Sequence, residues 1–348
     1  MPKMRNVRIA VLGVALTAIA ISGGIFVVRT CAASGLAASA PLAADFAVFP
    51  ADNVWNTPVD LAPLHPRSAY WMQAINGHTG HPLHADFGHV YRGHLNGIPY
   101  NLVDANTPRE KVAFDPARNY AGESDALPSD GLPIPADAVV EGDPQSEKGG
   151  GDRHLILVDT SARVLHELFD AVRQPDGSWQ CAQYSRWDLT SNALRADDAT
   201  SADAAGLPIF PGLVRWDEIE RGEIRHALRF TLDLTWKQHL WPARHDAPVG
   251  GSNNPPMGMR VRLKSGFDIS GYSATNQVIL TALKRYGMML ADNGGDWFIS
   301  GAPNPRFDDD DLHRLGQIVP GDAFEVVDTS AWIVDADSGR VAEAATNR

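Results

Sequence analysis

At Asp152 the apolar spacing changes to period two, and short runs of that period recur through the rest of the chain. Residues 153–158 and 164–171 are strand-like runs around Thr160-Ser161-Ala162. Asp176-Gly177 before Trp179 is a hairpin signal, because Gly accepts the left-handed backbone that tight turns need. Residues 224–234, with Arg229 inside, read as a strand. Residues 257–264 alternate apolar and basic side chains, as a half-buried strand does. One clear helix is predicted: Ser273 caps a run in which Val278, Leu280, Leu283, Tyr286, Met289 and Leu290 recur at helical spacing, ended by Asp292-Asn293-Gly294-Gly295. Short helices are predicted over 68–75, capped by Ser68, and after the acidic run 308–311. Residues 45–110 are otherwise irregular, since Pro, Asn, Gly and His interrupt their apolar runs. The expected class is mostly β: a β-sandwich or jelly roll with one packed α-helix, with mixed α+β as the alternative.

The N-terminal segment sets the expected location. Lys3, Arg5 and Arg8 precede an uncharged apolar run over 9–28, and Ala38-Ser39-Ala40 has the small-x-small form of a cleavage site. The run is also long enough to span a bilayer as a helix. Residues 1–44 are therefore expected to be a signal peptide or signal anchor, and 45–348 a single globular domain. That domain would be secreted or periplasmic, or else anchored in the inner membrane and facing the periplasm. Membrane contact is expected only through an uncleaved N-terminal segment. Arg29 before Cys31 does not suit a lipoprotein signal. The formal charge is −12, and losing Lys3, Arg5, Arg8 and Arg29 with the leader makes it −16. Such a surface repels phosphate backbones, so no nucleic-acid partner is expected. With only Cys31 and Cys181 there is no disulfide framework, and Cys181 reads as a small buried hydrophobe.

No Gly-x-Ser-x-Gly elbow, phosphate loop, dinucleotide fingerprint or His-Glu-x-x-His occurs. Pairing residues 153–158 with 164–171 about the Ser161–Ala162 midpoint sets 156 opposite 167 and 154 opposite 169. Asp152, His154, Leu165, Glu167 and Phe169 then share one face. Between Leu165 and Phe169, a desolvated Glu167 has a raised pKa and suits a general acid. Asp152 is a second carboxylate there, and two carboxylates in unlike surroundings are what glycoside hydrolysis uses. The alternative is a solvated face carrying all three polar residues.

Glu141 lies in a loop just before this hairpin, where catalytic groups are often placed. Asp203 sits in a small-residue stretch that either admits a ligand or caps a turn. Arg229, Arg244 and His245 pair with carboxylates or grip an anionic group. Trp55 and Trp241, beside polar or Pro-rich segments, offer flat apolar faces for sugar rings. His78, His81, His84, His89 and His94 have no Cys or acidic partner at a ligating spacing, so neither metal nor cofactor is expected.

Several phrases occur as a set: Phe49-Pro50-Ala51-Asp52-Asn53-Val54-Trp55-Asn56, Gly151-Asp152-Arg153-His154, Ser201-Ala202-Asp203-Ala204-Ala205-Gly206-Leu207-Pro208, Pro242-Ala243-Arg244-His245 and Tyr286-Gly287-Met288-Met289-Leu290-Ala291-Asp292-Asn293-Gly294. With Ile299-Ser300-Gly301-Ala302-Pro303 they make the chain resemble, over about residues 47–330, a family of secreted proteins of soil and plant-associated bacteria. The resemblance implies export and one domain, and transfers no catalytic residue.

Together these features predict a secreted carbohydrate-active enzyme, a polysaccharide hydrolase acting on a polysaccharide or oligosaccharide. Glu167 would be its general acid and Asp152, Asp203 or Glu141 the second carboxylate. His154, Arg229, Arg244, His245, Trp55 and Trp241 would bind substrate. A non-catalytic glycan-binding or cell-envelope protein is the first alternative. A metal-dependent hydrolase using the N-terminal histidines is the second.

Overall fold

The alternating runs pair into two mixed sheets that share a core. The structure, a computed structural model, describes residues 40–78, 81–118, 120–142 and 152–346. The apolar run 9–28, Cys31 and Ala38-Ser39 lie outside the described residues. Leu36–Arg348 forms one compact unit.

Ten strands build the two larger sheets. In chain order they are β1 (His84–Asp86), β2 (Tyr100–Val103), β3 (Leu155–Asp159), β4 (Val164–Phe169), β5 (Gln183–Asp188), β6 (Leu228–Leu232), β7 (Arg260–Leu263), β8 (Met288–Asn293), β9 (Phe298–Ser300) and β10 (Phe324–Val326). One sheet runs β5-β4-β3-β2 and the other β1-β9-β6-β8-β7-β10. The β3–β4 hairpin has the register expected from its alternation, with Ile156 opposite Glu167. The fold is mostly β with few helices, as the alternation predicts. Parallel and antiparallel pairings mix in both sheets: β2 runs parallel to β3, and β6 runs parallel to β8.

Ile156, Val158 and Leu165 from the smaller sheet pack in one cluster with Leu228, Phe230, Val261 and Leu290 from the larger. Burying each such side chain contributes roughly 1.5–3 kcal/mol. The opposite face of the smaller sheet is also covered: Leu155, Leu157, Leu168 and Tyr184 join Leu132, Ile134 and Cys181 in a second cluster. The solvated-face alternative for the hairpin is thereby overturned, since His154 is 3% and Glu167 0% exposed. The run 257–264 is likewise more buried than its alternation implies, because β7 is an interior strand and even its Arg260 is buried.

Helix α1 (Ala274–Arg285) begins as expected, the Ser273 hydroxyl accepting the Asn276 N–H at 3.1 Å. It stops a turn and a half early. Gly287 adopts φ +64°, and a Cβ there would lie 2.1 Å from the Val261 carbonyl oxygen. That left-handed residue ends the helix and turns the chain into β8, so Met289 and Leu290 are strand residues, not helix residues. The error matters for the site, because β8 carries Asp292. A register shift between β6 and β8 leaves Phe230 opposite Leu290 but Thr231 opposite Asp292. Irregularities of this kind re-aim side chains at the ends of sheets.

Candidate functional site

Two cavities meet at the end of β8. The larger, of about 600 Å³, is lined by residues that include Asp86, Tyr91, Glu141, His154, Arg229 and Phe298. The smaller, of about 330 Å³, is lined by residues that include Tyr120, Phe169, Ser201 and His245. Asp152, Asp292 and Asn293 line both.

Asp203 is the buried anchor of this site. The Ser201 hydroxyl accepts the Asp203 N–H at 3.0 Å and lies 2.6 Å from the Leu207 carbonyl oxygen, which folds the small-residue stretch into a tight turn. Gly206, at φ +67°, has the Ala199 carbonyl oxygen 2.5 Å from where its Cβ would be. The Ala205 N–H donates to the Ala291 carbonyl at 2.9 Å, fastening the turn to β8. Asp203 is wholly buried, and Arg229 on β6 grips it with two bonds, Nε to Oδ2 at 2.9 Å and Nη2 to Oδ1 at 2.7 Å. Burial opposes the charge on Arg229, and the Asp203 carboxylate outweighs it, so the guanidinium is held more firmly protonated than usual. Arg229 Nη1 also donates to Ser300 Oγ on β9.

Asp292 leans on this pair from the cleft side. Its side chain is 22% exposed, and Arg229 Nη2 is 3.8 Å from its Oδ2. Burial raises its pKa well above the carboxylate range, and the neighbouring Asp203, hydrogen-bonded to it, raises it further against the pull of Arg229. Two carboxyls that share a site resist ionising together, so Asp292 holds its proton to higher pH than an ordinary carboxyl.

Glu141 and His154 form the opposite arrangement. Glu141 Oε2 lies 2.6 Å from His154 Nδ1, while His154 Nε2 faces the Ala202 carbonyl oxygen at 3.0 Å. Both ring nitrogens therefore face acceptors and must both carry protons. Burial pulls the imidazole pKa down, but Glu141 outweighs it and raises it to about 9. Burial also works against ionised Glu141, yet His154 lowers its pKa below the usual value. The larger cavity is thus lined by one carboxyl whose protonated form is favoured and one whose ionised form is favoured.

The pair predicts a pH dependence. His154 is raised from 6.5 to about 9, so its stabilisation is complete below pH 6.5 and lost as pH rises towards 9. Wild-type stability should fall across that window by up to about 3 kcal/mol relative to His154→Gln, measured by urea unfolding at several pH values. Parallel pH profiles for the two proteins would refute the charged pair.

The structure brings together Glu141, Asp152, His154, Asp203 and Arg229 of the residues expected from sequence, and His245 lines the smaller cavity. Glu167 is displaced from the role expected of it. Burial does raise its pKa, to about 7, against the N–H groups of Phe210 and Ile209. But Glu167 lines neither cavity, and its oxygens accept those two N–H groups at 2.8–3.0 Å, an anchor for the 209–210 turn. Trp55 is core, 3% exposed. Trp241 donates its indole N–H to Ser338 O, and Arg244 pairs with Asp337 at 2.6 Å; neither lines the cleft. The histidines over 78–94 do not converge: His84 stacks on Phe298, His94 lines the larger cavity, and the His78 side chain lies outside the described residues. Among the described residues no group of three or more His, Cys, Asp or Glu is arranged to hold a metal.

Sequence spacing made Asp292 part of a helix end and placed neither Asp292 nor Ser300 in a site. The signal for Asp292 was Gly287 followed by five residues and then Asn-Gly-Gly, which is a strand entry and a loop at a sheet end. No protein-family model, curated protein or solved structure matches the chain.

Proposed function

We propose that the protein is a secreted carbohydrate-active hydrolase that cleaves glycosidic bonds in the cleft at the end of β8. The observation that carries this reading is a pair of carboxyls in unlike surroundings lining one cavity, Asp292 against Asp203 and 3.8 Å from Arg229 Nη2, and Glu141 2.6 Å from His154 Nδ1. Glycoside hydrolysis needs a proton for the leaving oxygen and negative charge beside the anomeric carbon, and the two environments supply one each.

In this reading Asp292 donates its proton to the glycosidic oxygen as the bond to the anomeric carbon breaks. Glu141 stabilises the positive charge that develops there. Asp152, on the wall shared with Asp292, takes a proton from the attacking water, whose oxygen bonds to the anomeric carbon. Asp203, itself held by Arg229, bonds to Asp292 and favours its protonated form. Exposed aromatic rings beside polar groups suit sugar rings, which have apolar faces and hydrogen-bonding edges.

The test is release of reducing ends from a panel of neutral and amino-bearing polysaccharides by the purified protein. Turnover of at least one member is expected. Binding without turnover would move the protein to the non-catalytic glycan-binding reading, and neither binding nor turnover would remove carbohydrate altogether.

A further inference from the structure

We infer, resting on the hydrolase reading above, that one glycan chain crosses both cavities and is cut at an internal linkage, with Tyr91 and Tyr120 as its stacking platforms on opposite sides of the cleavage point.

Asp292 stands on the wall common to the two cavities, so a bond placed at its carboxyl has space on either side. A site that removes terminal units needs a closed pocket on one side of its acid. Here the second side is a cavity of about 330 Å³ with its own polar lining, including Gln183, Thr200 and His245. The larger space, about 600 Å³, holds more of the chain than the smaller, so the bound units divide unequally about the scissile bond.

Exposed aromatic side chains supply the independent observation. Among the described residues three tyrosines are markedly exposed: Tyr70 at 42%, Tyr91 at 60% and Tyr120 at 44%. Tyr91 lines the larger cavity and Tyr120 the smaller. Tyr70, which lines neither, has its hydroxyl bonded to Asn253. An aromatic ring left in water loses the stabilisation of burial, and one on each side of a candidate acid is where a chain of sugar rings would cover it. Tyr120 also packs against Phe169, ring centroids 6.4 Å apart, and both line the smaller cavity.

The test uses Asp292→Asn as a binding form, with the β-1,4-linked hexaoses and bioses of glucose, xylose, N-acetylglucosamine and glucosamine as probes in calorimetry. In that background Tyr91→Ala and Tyr120→Ala should each weaken the bound hexaose about tenfold, and the Phe substitutions should restore it. A biose, too short to cross, should respond to one tyrosine only. The wild-type protein should lower the viscosity of the matching polymer well before much reducing sugar appears. Unchanged hexaose affinity for either Ala variant, or turnover that releases only terminal units, would overturn the crossing chain and leave the hydrolase reading intact. Failure of the folded wild-type protein to bind or cleave any probe would overturn both.

Discussion

Replacing Asp292 by Asn is expected to lower kcat by about 10²–10⁴-fold, the usual worth of a general acid, while the protein stays folded. The amide can still donate a hydrogen bond to Asp203, so the structural part of the contact survives and only the transferable proton is lost. Two further readouts separate a catalytic from a structural role. The alkaline limb of the wild-type pH–rate profile reports ionisation of the acid, and it should lie above the range of an ordinary carboxyl, since burial and Asp203 both raise Asp292. That limb should vanish in the variant. An aryl glycoside with an acidic leaving group needs little protonation and should lose much less rate than a natural linkage. Equal losses on both substrates, with matching drops in melting temperature, would show that Asp292 only supports the fold.

The second large effect is on stability. Arg229→Leu should cost about 3–5 kcal/mol in urea unfolding, because it strips the bidentate partner from a carboxylate with no exposure to water. Asp203→Ala should cost a comparable amount by stranding the guanidinium. The double variant should be more stable than the sum of the two losses implies, since removing both charges leaves neither unpaired. Additive losses would mean that the pair is not coupled. A small cost for Arg229→Leu alone would mean that water reaches Asp203.

How much of this was legible beforehand follows from how far each signal reaches along the chain. The β3–β4 register was readable because strand alternation and the position of a tight turn are local, and together they set Ile156 opposite Glu167. The same alternation placed Glu167 beside His154 but could not say what covers that face. The cover is the turn at Ile209 and Phe210, some forty residues on, whose N–H groups consume the carboxylate. Glu167 is thereby a structural acid, although its pKa is raised as its flanking residues suggested.

The start of α1 was readable from Ser273, but its end was not. Helical spacing in Tyr286, Met289 and Leu290 is indistinguishable from the spacing of a strand buried on both faces. What decided between them was Val261 on β7, whose carbonyl leaves room at Gly287 for a hydrogen and nothing larger. Class, the hairpin and the candidates Glu141, Asp152, His154, Asp203 and Arg229 thus came from composition and local period. The proposed acid did not. Asp292 became a candidate only when β8 was laid beside β6, because its raised pKa comes from burial and from Asp203, which lies far from it in sequence and meets it only through parallel strand pairing and the turn at Ser201.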